Sequence, residues 1–177
     1  MSADALPTLT LRVLTGQPAE MAALQCVLEA APTYFRSVTG MPAGKAEAQS
    51  TFTALPPDRT YEDKFVWGLY SSEAMIGCAD VIRGYPTHDK AVIGLLLLAE
   101  AWQRQGLGRV FAALIEQAIG VWPEITTLRL GVVKTNSGAA AFWRKLGYCE
   151  TGEVKSNPEF VADVIVLEKP LRRSGGR

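Results

Sequence analysis

One stretch, residues 91–120, places the strongest limits on how this chain can fold. It begins with an apolar run, residues 92–99, that is long enough for a buried strand and too short to span a bilayer. It ends with apolar side chains at the i, i+3, i+4, i+7 spacing of a helix that buries one face. They are Leu107, Val110, Phe111, Leu114, Ile115, Ala118 and Ile119. Gly120 follows, where we expect a left-handed residue to end the helix.

A glycine-containing turn, residues 103–108, separates this strand from this helix. Glycine lets the backbone approach a ligand closely, because it has no Cβ. The first turn of a helix presents unpaired N–H groups and the positive end of the helix dipole. A strand, a glycine turn and a helix start therefore predict an anion site, most naturally for phosphate.

Two phosphate-binding patterns do not fit this turn. The sequence has no Walker run, Gly-x-x-x-x-Gly-Lys-Ser/Thr. The dinucleotide pattern would place its third glycine at Phe111, where a bulky ring would block close helix–strand packing. A third pattern, Gln/Arg-x-x-Gly-x-Gly/Ala, is matched by Gln103, Gly106 and Gly108, and in it the chain resembles the GNAT superfamily of N-acetyltransferases. Judged from this motif alone, the alternative to a phosphate-binding loop is a plain loop-to-helix turn.

Composition limits the class of protein. The chain has 177 residues, of which 48% are hydrophobic, as expected for one globular domain. Its 18 basic and 18 acidic residues cancel, which argues against a general nucleic-acid or membrane-surface binder. Cys26, Cys78 and Cys149 are widely spaced, and we expect them to be buried, reduced thiols. The N-terminus has no signal-peptide pattern, so we expect a soluble cytoplasmic protein.

Hydrophobic periodicity and turn residues predict the order β-α-α-β-β-β-α-β-α-β-β. The first expected strand begins at residue 8 and ends at the turn of residues 15–16, and the others cover residues 63–70, 74–83, 92–99, 126–133, 148–155 and 161–167. The expected helices cover residues 18–31, 43–55, 107–119 and 139–146. We expect residues 1–7 and 169–177 to be flexible. The helix over 107–119 is a crossover, so the strands on either side of it should be parallel. The predicted fold class is α/β (α+β): one domain with a mixed, mostly antiparallel sheet and helices on both faces.

A second run, Asn136 to Tyr148, extends the resemblance. It reads Asn-Ser-Gly-Ala-Ala-Ala-Phe-Trp-Arg-Lys-Leu-Gly-Tyr, and is similar to the GNAT segment with an Asn, an aromatic pair, a basic residue and Gly-aromatic. The resemblance covers residues 65–168. It implies a GNAT-like fold in which acetyl-CoA lies between two splayed parallel strands, here residues 92–99 and 126–133.

The resemblance also implies which residues hold acetyl-CoA. Pantetheine would pair with the strand end near Leu98, and loop N–H groups would hold the pyrophosphate, with Arg104 nearby. The candidates are Leu98, Gln103, Arg104, Gln105, Gly106, Leu107, Gly108, Arg109, Asn136 and Trp143. Asn136 can also cap the helix that follows it. Trp143, like Trp102, is equally suited to core packing.

Acetyl transfer to an amine needs a donor for the thioester oxygen and a base. The backbone N–H of Leu98 is our candidate donor. Asp80 and Glu100 are the candidate bases. An Asp80–Arg83 ion pair, an exposed loop position for Glu100 and a water relay are the alternatives.

The acid that would protonate the leaving thiolate is not assigned. The family often uses a tyrosine at the second position of the aromatic pair, where this chain has Trp143, and an indole N–H is a poor proton donor. Tyr148 is a candidate substitute, with a core or strand role as its alternative. The thiolate can also leave unassisted or through water.

Aromatic residues after the first helix are candidates for binding the acceptor. They are Tyr34 and Phe35 with the neighbouring Arg36, and Tyr85 in a later turn; the aromatic pair alternatively belongs to the core. His88 is the sole histidine and has no Cys/His cluster around it, so we expect no metal site.

These patterns together predict direct transfer of an acetyl group from acetyl-CoA to a primary amine of a small molecule or a protein. A non-catalytic acyl-CoA sensor is the alternative, motivated by Trp143 and by the absence of a carboxylate between Val92 and Leu98. A nucleotide-binding module is a remoter one. We expect no nucleic-acid, membrane or metal partner, and we consider a homodimer as an assembly.

Overall fold

The computed structural model describes residues 8–172. Its strands are β1 Leu9–Val13, β2 Lys64–Ser71, β3 Ala74–Arg83, β4 Lys90–Leu98, β5 Thr127–Val133, β6 Cys149–Lys155 and β7 Val164–Pro170. Its helices are α1 Pro18–Glu29, α2 Pro32–Thr39, α3 Glu47–Thr53, α4 Leu107–Ile119 and α5 Ser137–Lys145. Single 3-10 turns, Tyr61–Asp63 and Glu100–Trp102, precede β2 and follow β4. The segment 1–7 and residues 173–177, which we expected to be flexible, lie outside the described residues.

All seven strands form one sheet in the order β1-β2-β3-β4-β5-β7-β6. The β4–β5 pair is parallel and the other neighbours are antiparallel. This arrangement confirms the predicted mixed sheet and the crossover through α4.

The sheet has a hydrophobic core on each face. On one face α4 and α5 bury side chains such as Phe111, Ile115 and Trp143. On the other face α1, α2 and α3 bury Leu24, Leu28 and Phe35 among others. Helices on both faces were predicted, because each amphipathic helix must bury one apolar side.

The helices before β2 differ from the prediction. We expected Pro32 to end the first helix and a linking segment to follow. Instead Pro32 is the first residue of α2. Proline suits this position, because the N–H of the first helical residue would have no partner within the helix. Gly40, with φ 74°, ends this helix. The helix predicted over residues 43–55 is shorter, Glu47–Thr53, so three helices stand where two were expected.

Three smaller expectations were also wrong. Gly120 is right-handed, with φ −60°, because its N–H continues the helical pattern to the carbonyl of Glu116. The last strand is shifted, so Lys169 and Pro170 pair with β5 instead of belonging to a flexible tail. Of the three cysteines, which are all free, only Cys78 is buried; the other two lie on α1 and on the edge strand β6.

Within residues 8–172, every helix is too short or too polar to cross a lipid bilayer.

Candidate functional site

A cleft opens where β4 and β5 separate. Their parallel register runs only from Lys90 opposite Thr127 to Ile93 opposite Leu130, although both strands continue beyond it. The diverging ends enclose a cavity of about 190 Å³ whose walls include residues of α2 and of α5. These helices lie on opposite faces of the sheet, so two molecules can meet in this gap from opposite sides. The structure thus confirms the splayed parallel pair.

An extra residue in β4 starts the separation. Asp80 lies opposite Leu95 and Val81 opposite Ile93, so Gly94 has no opposing residue on β3. Such a bulge bends the strand and increases its twist. Gly94 comes directly after the last β4–β5 pair, so the bulge turns the end of β4 away from β5.

The backbone of Leu98 faces the gap. Ala99 donates its N–H to the carbonyl of Ile76 on β3, at 3.0 Å. Backbone groups alternate in direction along an antiparallel pair, so the N–H and C=O of Leu98 point to the β5 side. The Leu98 carbonyl accepts a hydrogen bond from Nε2 of Gln103 at 2.8 Å. The Leu98 N–H is directed toward the space between the strands, as an acyl-oxygen donor requires.

The loop after β4 presents a helix N-terminus. Gln103 ties this loop to the strand, and Arg104 and Gly106 have φ of 60° and 79°. A left-handed conformation costs an L-residue about 1–2 kcal/mol, so Arg104 is strained at this point. Helix α4 begins directly after Gly106 with no side-chain cap and no acidic residue in its first turn. Its first N–H groups therefore remain available to an anion.

A second cavity, of about 460 Å³, lies against this N-terminus. Arg104, Arg109 and Lys145 line it together with Gly106 and Gly108, and within the described residues no acidic side chain does. Three cations beside free N–H groups fit a diphosphate. Lys145 was missed by the sequence analysis because it comes from α5, and only the packing of α5 beside α4 brings it here.

The other residues of the loop serve its shape. A Cβ on Gly108 would lie 3.3 Å from Cε2 of Phe142, so this glycine lets α5 pack closely on α4. Leu107 is buried in the core. Gln105 donates from Nε2 to the carbonyl of Ala101 at 2.8 Å. That the backbone N–H groups of Gln105, Leu107 and Gly108 bind the cofactor stays a prediction.

Asn136 and Trp143 both line the cavity between the strands. Oδ1 of Asn136 accepts the N–H of Ala139 at 3.3 Å and caps α5. Trp143 is 7% exposed and makes edge contacts with Phe142 and Tyr148. Its indole N–H donates to no described residue.

Asp80 lies beside the bulge. A Cβ on Gly94 would be 3.3 Å from its Oδ2, and its Oδ1 accepts from Nζ of Lys64 at 2.8 Å. Burial raises the pKa of Asp80 above its ordinary value, and Lys64 only partly offsets this. Arg83, the partner considered from the sequence, pairs with Asp63 instead.

Glu100 has a structural role at the end of β4. Its Oε1 accepts the backbone N–H of Thr33 at 2.8 Å, and its own N–H donates to the carbonyl of Ala30 at 2.9 Å. These bonds hold the start of α2. The hydrogen bond from Thr33 is the main reason that the pKa of Glu100 is lowered, which makes it a weaker base.

Tyr148 and Tyr85 lie away from the gap. The Tyr148 hydroxyl donates to Oε1 of Glu116 at 3.1 Å, and the ring is 1% exposed. Burial, followed by the charge of Glu116, raises its pKa well above the usual range. Tyr85 lies in the turn before β4, at the paired end of the β4–β5 ladder. Neither residue lines the cavity.

Of the residues proposed to bind the acceptor, Tyr34 lines the cavity. Burial raises its pKa to about 12, so the hydroxyl keeps its proton at neutral pH. Phe35 is buried in the core behind it, and Arg36 is exposed. The sequence analysis missed Val38, Phe160 and Val164, which complete this wall. No local pattern marks them, because they come together from α2, from the loop before β7 and from the first residue of β7.

Among residues 8–172 there is no group of three His, Cys, Asp or Glu side chains that could hold a metal ion.

Comparisons with known proteins agree with this geometry. The model of the family described as "Acetyltransferase (GNAT) family" matches residues 28–148. No curated protein matches the chain. The fold is similar to that of an acetyltransferase from Thermus thermophilus, with 25% identity, a TM-score of 0.70, and 94% of this chain and 100% of that chain covered.

Two further solved structures are similar in fold. The ribosomal-protein-S18-alanine N-acetyltransferase from Escherichia coli has 19% identity and a TM-score of 0.67, over 95% of this chain and 97% of that chain. The spermidine N-acetyltransferase from Vibrio cholerae, solved with CoA and spermine, has 17% identity and a TM-score of 0.68, over 92% and 95%. At these identities the likeness concerns the fold alone.

Proposed function

This chain belongs to the GNAT family of acetyltransferases, and from that premise we propose that it transfers the acetyl group of acetyl-CoA directly to a primary amine. The observation that carries the proposal is the succession of two spaces along β4. The cavity between β4 and β5 is lined by β4 as far as Leu96, and the basic cavity at the start of α4 is lined by Leu98, two residues further along the chain.

The residues present fit acetyl-CoA. The uncapped N-terminus of α4, with Arg104, Arg109 and Lys145 around it, would hold the diphosphate. The N–H of Leu98 would donate to the acyl arm. When bound, acetyl-CoA supplies an activated thioester. The chain's main contribution is then to hold two reactants in line and to stabilise charge on the acyl oxygen.

The lining of the gap favours direct transfer. Within the described residues it contains no serine, cysteine, lysine or histidine side chain that could accept the acetyl group first. Cys78 is fully buried in the second core, and burial raises the pKa of its thiol to about 12, so it is not a ready nucleophile.

We assign the base to Asp80, acting on the amine directly or through water. It lies beside Gly94, which lines the gap, and its raised pKa moves it toward that of a useful base. Glu100 and Tyr148 are occupied by structural hydrogen bonds. The indole N–H of Trp143 offers the leaving sulfur a hydrogen bond without proton transfer.

The composition and the reduced cysteines support a cytoplasmic location as part of this proposal.

A pair of glycine variants tests the donor site. Gly106 and Gly152 both have positive φ, 79° and 85°, and a Cβ on either would meet no atom within 4 Å. Gly106→Val and Gly152→Val should therefore lower the melting temperature by similar amounts. Only Gly106→Val should weaken CoA binding, by at least about tenfold, because a branched side chain there obstructs the approach of the diphosphate. Calorimetric titration with CoA measures this difference.

Equal CoA affinities in the two variants would place the diphosphate elsewhere. A thiol-release assay with the unaltered chain distinguishes an enzyme from an acyl-CoA sensor. Tight binding of acetyl-CoA without transfer to any amine would favour the sensor, the interpretation that Trp143 at the usual tyrosine position supports.

A further inference from the structure

The acceptor half of the gap has an uncharged lining. On the face of the sheet that carries α2, its side-chain wall consists of Tyr34, Val38, Phe160 and Val164. Among the described residues that line this cavity, none has a charged side chain. An amine with further positive charges would therefore find no carboxylate to receive them here.

Two carboxylates near this wall, Asp80 and Asp163, are paired with cations. Glu47, whose charge adds to the effect of burial in raising the pKa of Tyr34, accepts only the N–H of Gly44 among the described residues. Asp80 has Lys64 at 2.8 Å. Asp163, next to Val164, has Lys134 at 3.5 Å. Glu159, next to Phe160, is exposed to water. The two paired carboxylates are thus each balanced by a cation, and the region has no surplus buried negative charge to attract a polycation.

Glu168 lies further along the same face, on β7. It is held by Lys90 at 2.7 Å and by Arg129 at 2.8 Å. Taking up a second ammonium group would require one of these cations to be displaced. That exchange yields no net free energy of binding, because one buried ion pair only replaces another.

The mouth of this space is bridged by contacts between α2 and the other half of the sheet. The N–H of Val161 donates to the carbonyl of Val38 at 2.9 Å. Oγ1 of Thr135 donates to the carbonyl of Ser37 at 2.5 Å. A Cβ on Gly40 would lie 3.2 Å from Val161, so the two segments are in close contact. A long peptide has no open groove to follow across this bridge.

Two glycines in the floor of the space allow neighbouring side chains to pack closely on the strands. Gly94 on β4 and Gly131 on β5 both line the gap. A Cβ on Gly131 would lie 2.7 Å from Cγ1 of Val164, closer than real Cβ contacts come. Val164 thus packs directly on β5, and Oδ2 of Asp80 lies 3.3 Å from the Cβ position of Gly94, so an amine between the strands would meet the apolar wall on one side and this carboxylate on the other.

Resting on the proposed function, we infer that the acceptor is a primary monoamine whose substituent is small, uncharged and apolar or aromatic. The aromatic rings and valines bury such a substituent, and the absence of free carboxylates from the described lining discriminates against polyamines and aminoglycosides. The bridged mouth discriminates against peptide acceptors.

A matched pair of amines tests the inference. Butylamine and 1,4-diaminobutane have the same carbon chain and differ by one ammonium group. Thiol release at saturating acetyl-CoA should give kcat/KM at least about 100-fold higher for butylamine, since the second charge cannot be desolvated without a partner. 2-Phenylethylamine should be at least as good as butylamine, and spermidine and a short peptide with a free N-terminus should be poor.

The results distinguish failure of the monoamine assignment from failure of the proposed acetyl transfer. Equal or faster transfer to 1,4-diaminobutane, spermidine or the peptide would overturn the monoamine assignment and leave acetyl transfer intact. Transfer to none of these amines, with acetyl-CoA still bound, would overturn both.

A charge placed in the wall should change the preference. Phe160→Asp should raise the ratio of kcat/KM for 1,4-diaminobutane over butylamine at least about tenfold, because the wall then holds a free carboxylate. Phe160→Asn introduces a side chain of the same shape as aspartate but without its charge, and should leave that ratio unchanged. Melting temperatures show whether both variants fold. An unchanged ratio in folded Phe160→Asp would show that the substituent does not lie against this wall.

Discussion

At the scale of single residues, the site depends on a few groups whose environment departs from the ordinary. Arg104 and Gly106 adopt left-handed conformations directly before α4. Trp143, only 7% exposed, helps to enclose the gap at the position where the family often has a tyrosine. Asp80 is a carboxylate beside the gap with a raised pKa. Such departures concentrate where binding and chemistry occur.

The role of Asp80 can be separated from its ion pair. Asp80→Asn should lower kcat about 100-fold and remove the acidic limb of the pH–rate profile, in which activity rises with pH as this carboxyl loses its proton. It should also destabilise the fold by about 3–5 kcal/mol, because Lys64 is 3% exposed and would lose its partner. Denaturant unfolding and initial rates between pH 4 and pH 8 measure both effects.

The double variant Asp80→Asn/Lys64→Met supplies the control. Removing both charges should restore most of the stability without restoring kcat. Recovery of kcat in this variant would show that Asp80 only balances Lys64, and that water or another group takes the proton.

At the scale of elements, the sequence was most informative where local patterns are strong. The strand Ala74–Arg83 and the helix Leu107–Ile119 have the predicted bounds, because period-two and period-3.6 spacing dominate there. Helix α2 was missed because Pro32 signals the end of one helix and the start of another equally well. The bulge at Gly94 and the contribution of Lys145 were not predictable, since both depend on strand register and helix packing.

Asn136 caps helix α5, and its proposed contact with the cofactor can be separated from this role. Asn136→Ser keeps a good cap and should change the unfolding free energy by only a few tenths of a kcal/mol, whereas Asn136→Ala should cost about 1 kcal/mol. Both variants lose the side-chain amide and should raise the KM for acetyl-CoA several-fold. Unfolding curves and KM values for the two variants give the comparison. A normal KM in Asn136→Ser would limit this residue to capping.

At the scale of the whole molecule, charges join the two halves of the split sheet. Lys90 on β4 and Arg129 on β5 both bind Glu168 on β7, and Arg129 also binds Glu153 on β6. Arg129 is only 7% exposed although it is charged. The paired part of β4 and β5 covers four residues of each strand, so this network adds a second connection across the split.

The network should make stability depend on acid. Burial alone would raise the pKa of Glu168, but hydrogen bonds from Lys90 and Arg129 outweigh it and lower the pKa below the ordinary 4.5. A lowered pKa in the folded state gives stability that is present above about pH 4.5 and is lost as pH falls through the folded value. Glu168→Gln should therefore show a smaller fall in melting temperature between pH 7 and pH 4 than the unaltered chain.

Glu73→Gln is the matched control, because Glu73 pairs with Arg12 at 3.5 Å with its side chain 91% exposed. Such surface pairs contribute little, so this variant should follow the unaltered chain at both pH values. Parallel curves for Glu168→Gln and the unaltered chain would show that the network does not couple to acid.

The short segment from Leu98 to Gln103 connects the proposed donor site to the proposed acceptor site. One end contributes the N–H and carbonyl of Leu98, the middle holds the first turn of α2 through Glu100, and the other end begins the phosphate loop. The helix that carries Tyr34 is thus fastened to the end of β4. If either ligand shifts this segment when it binds, thermodynamic reciprocity requires each to alter the affinity of the other by the same factor.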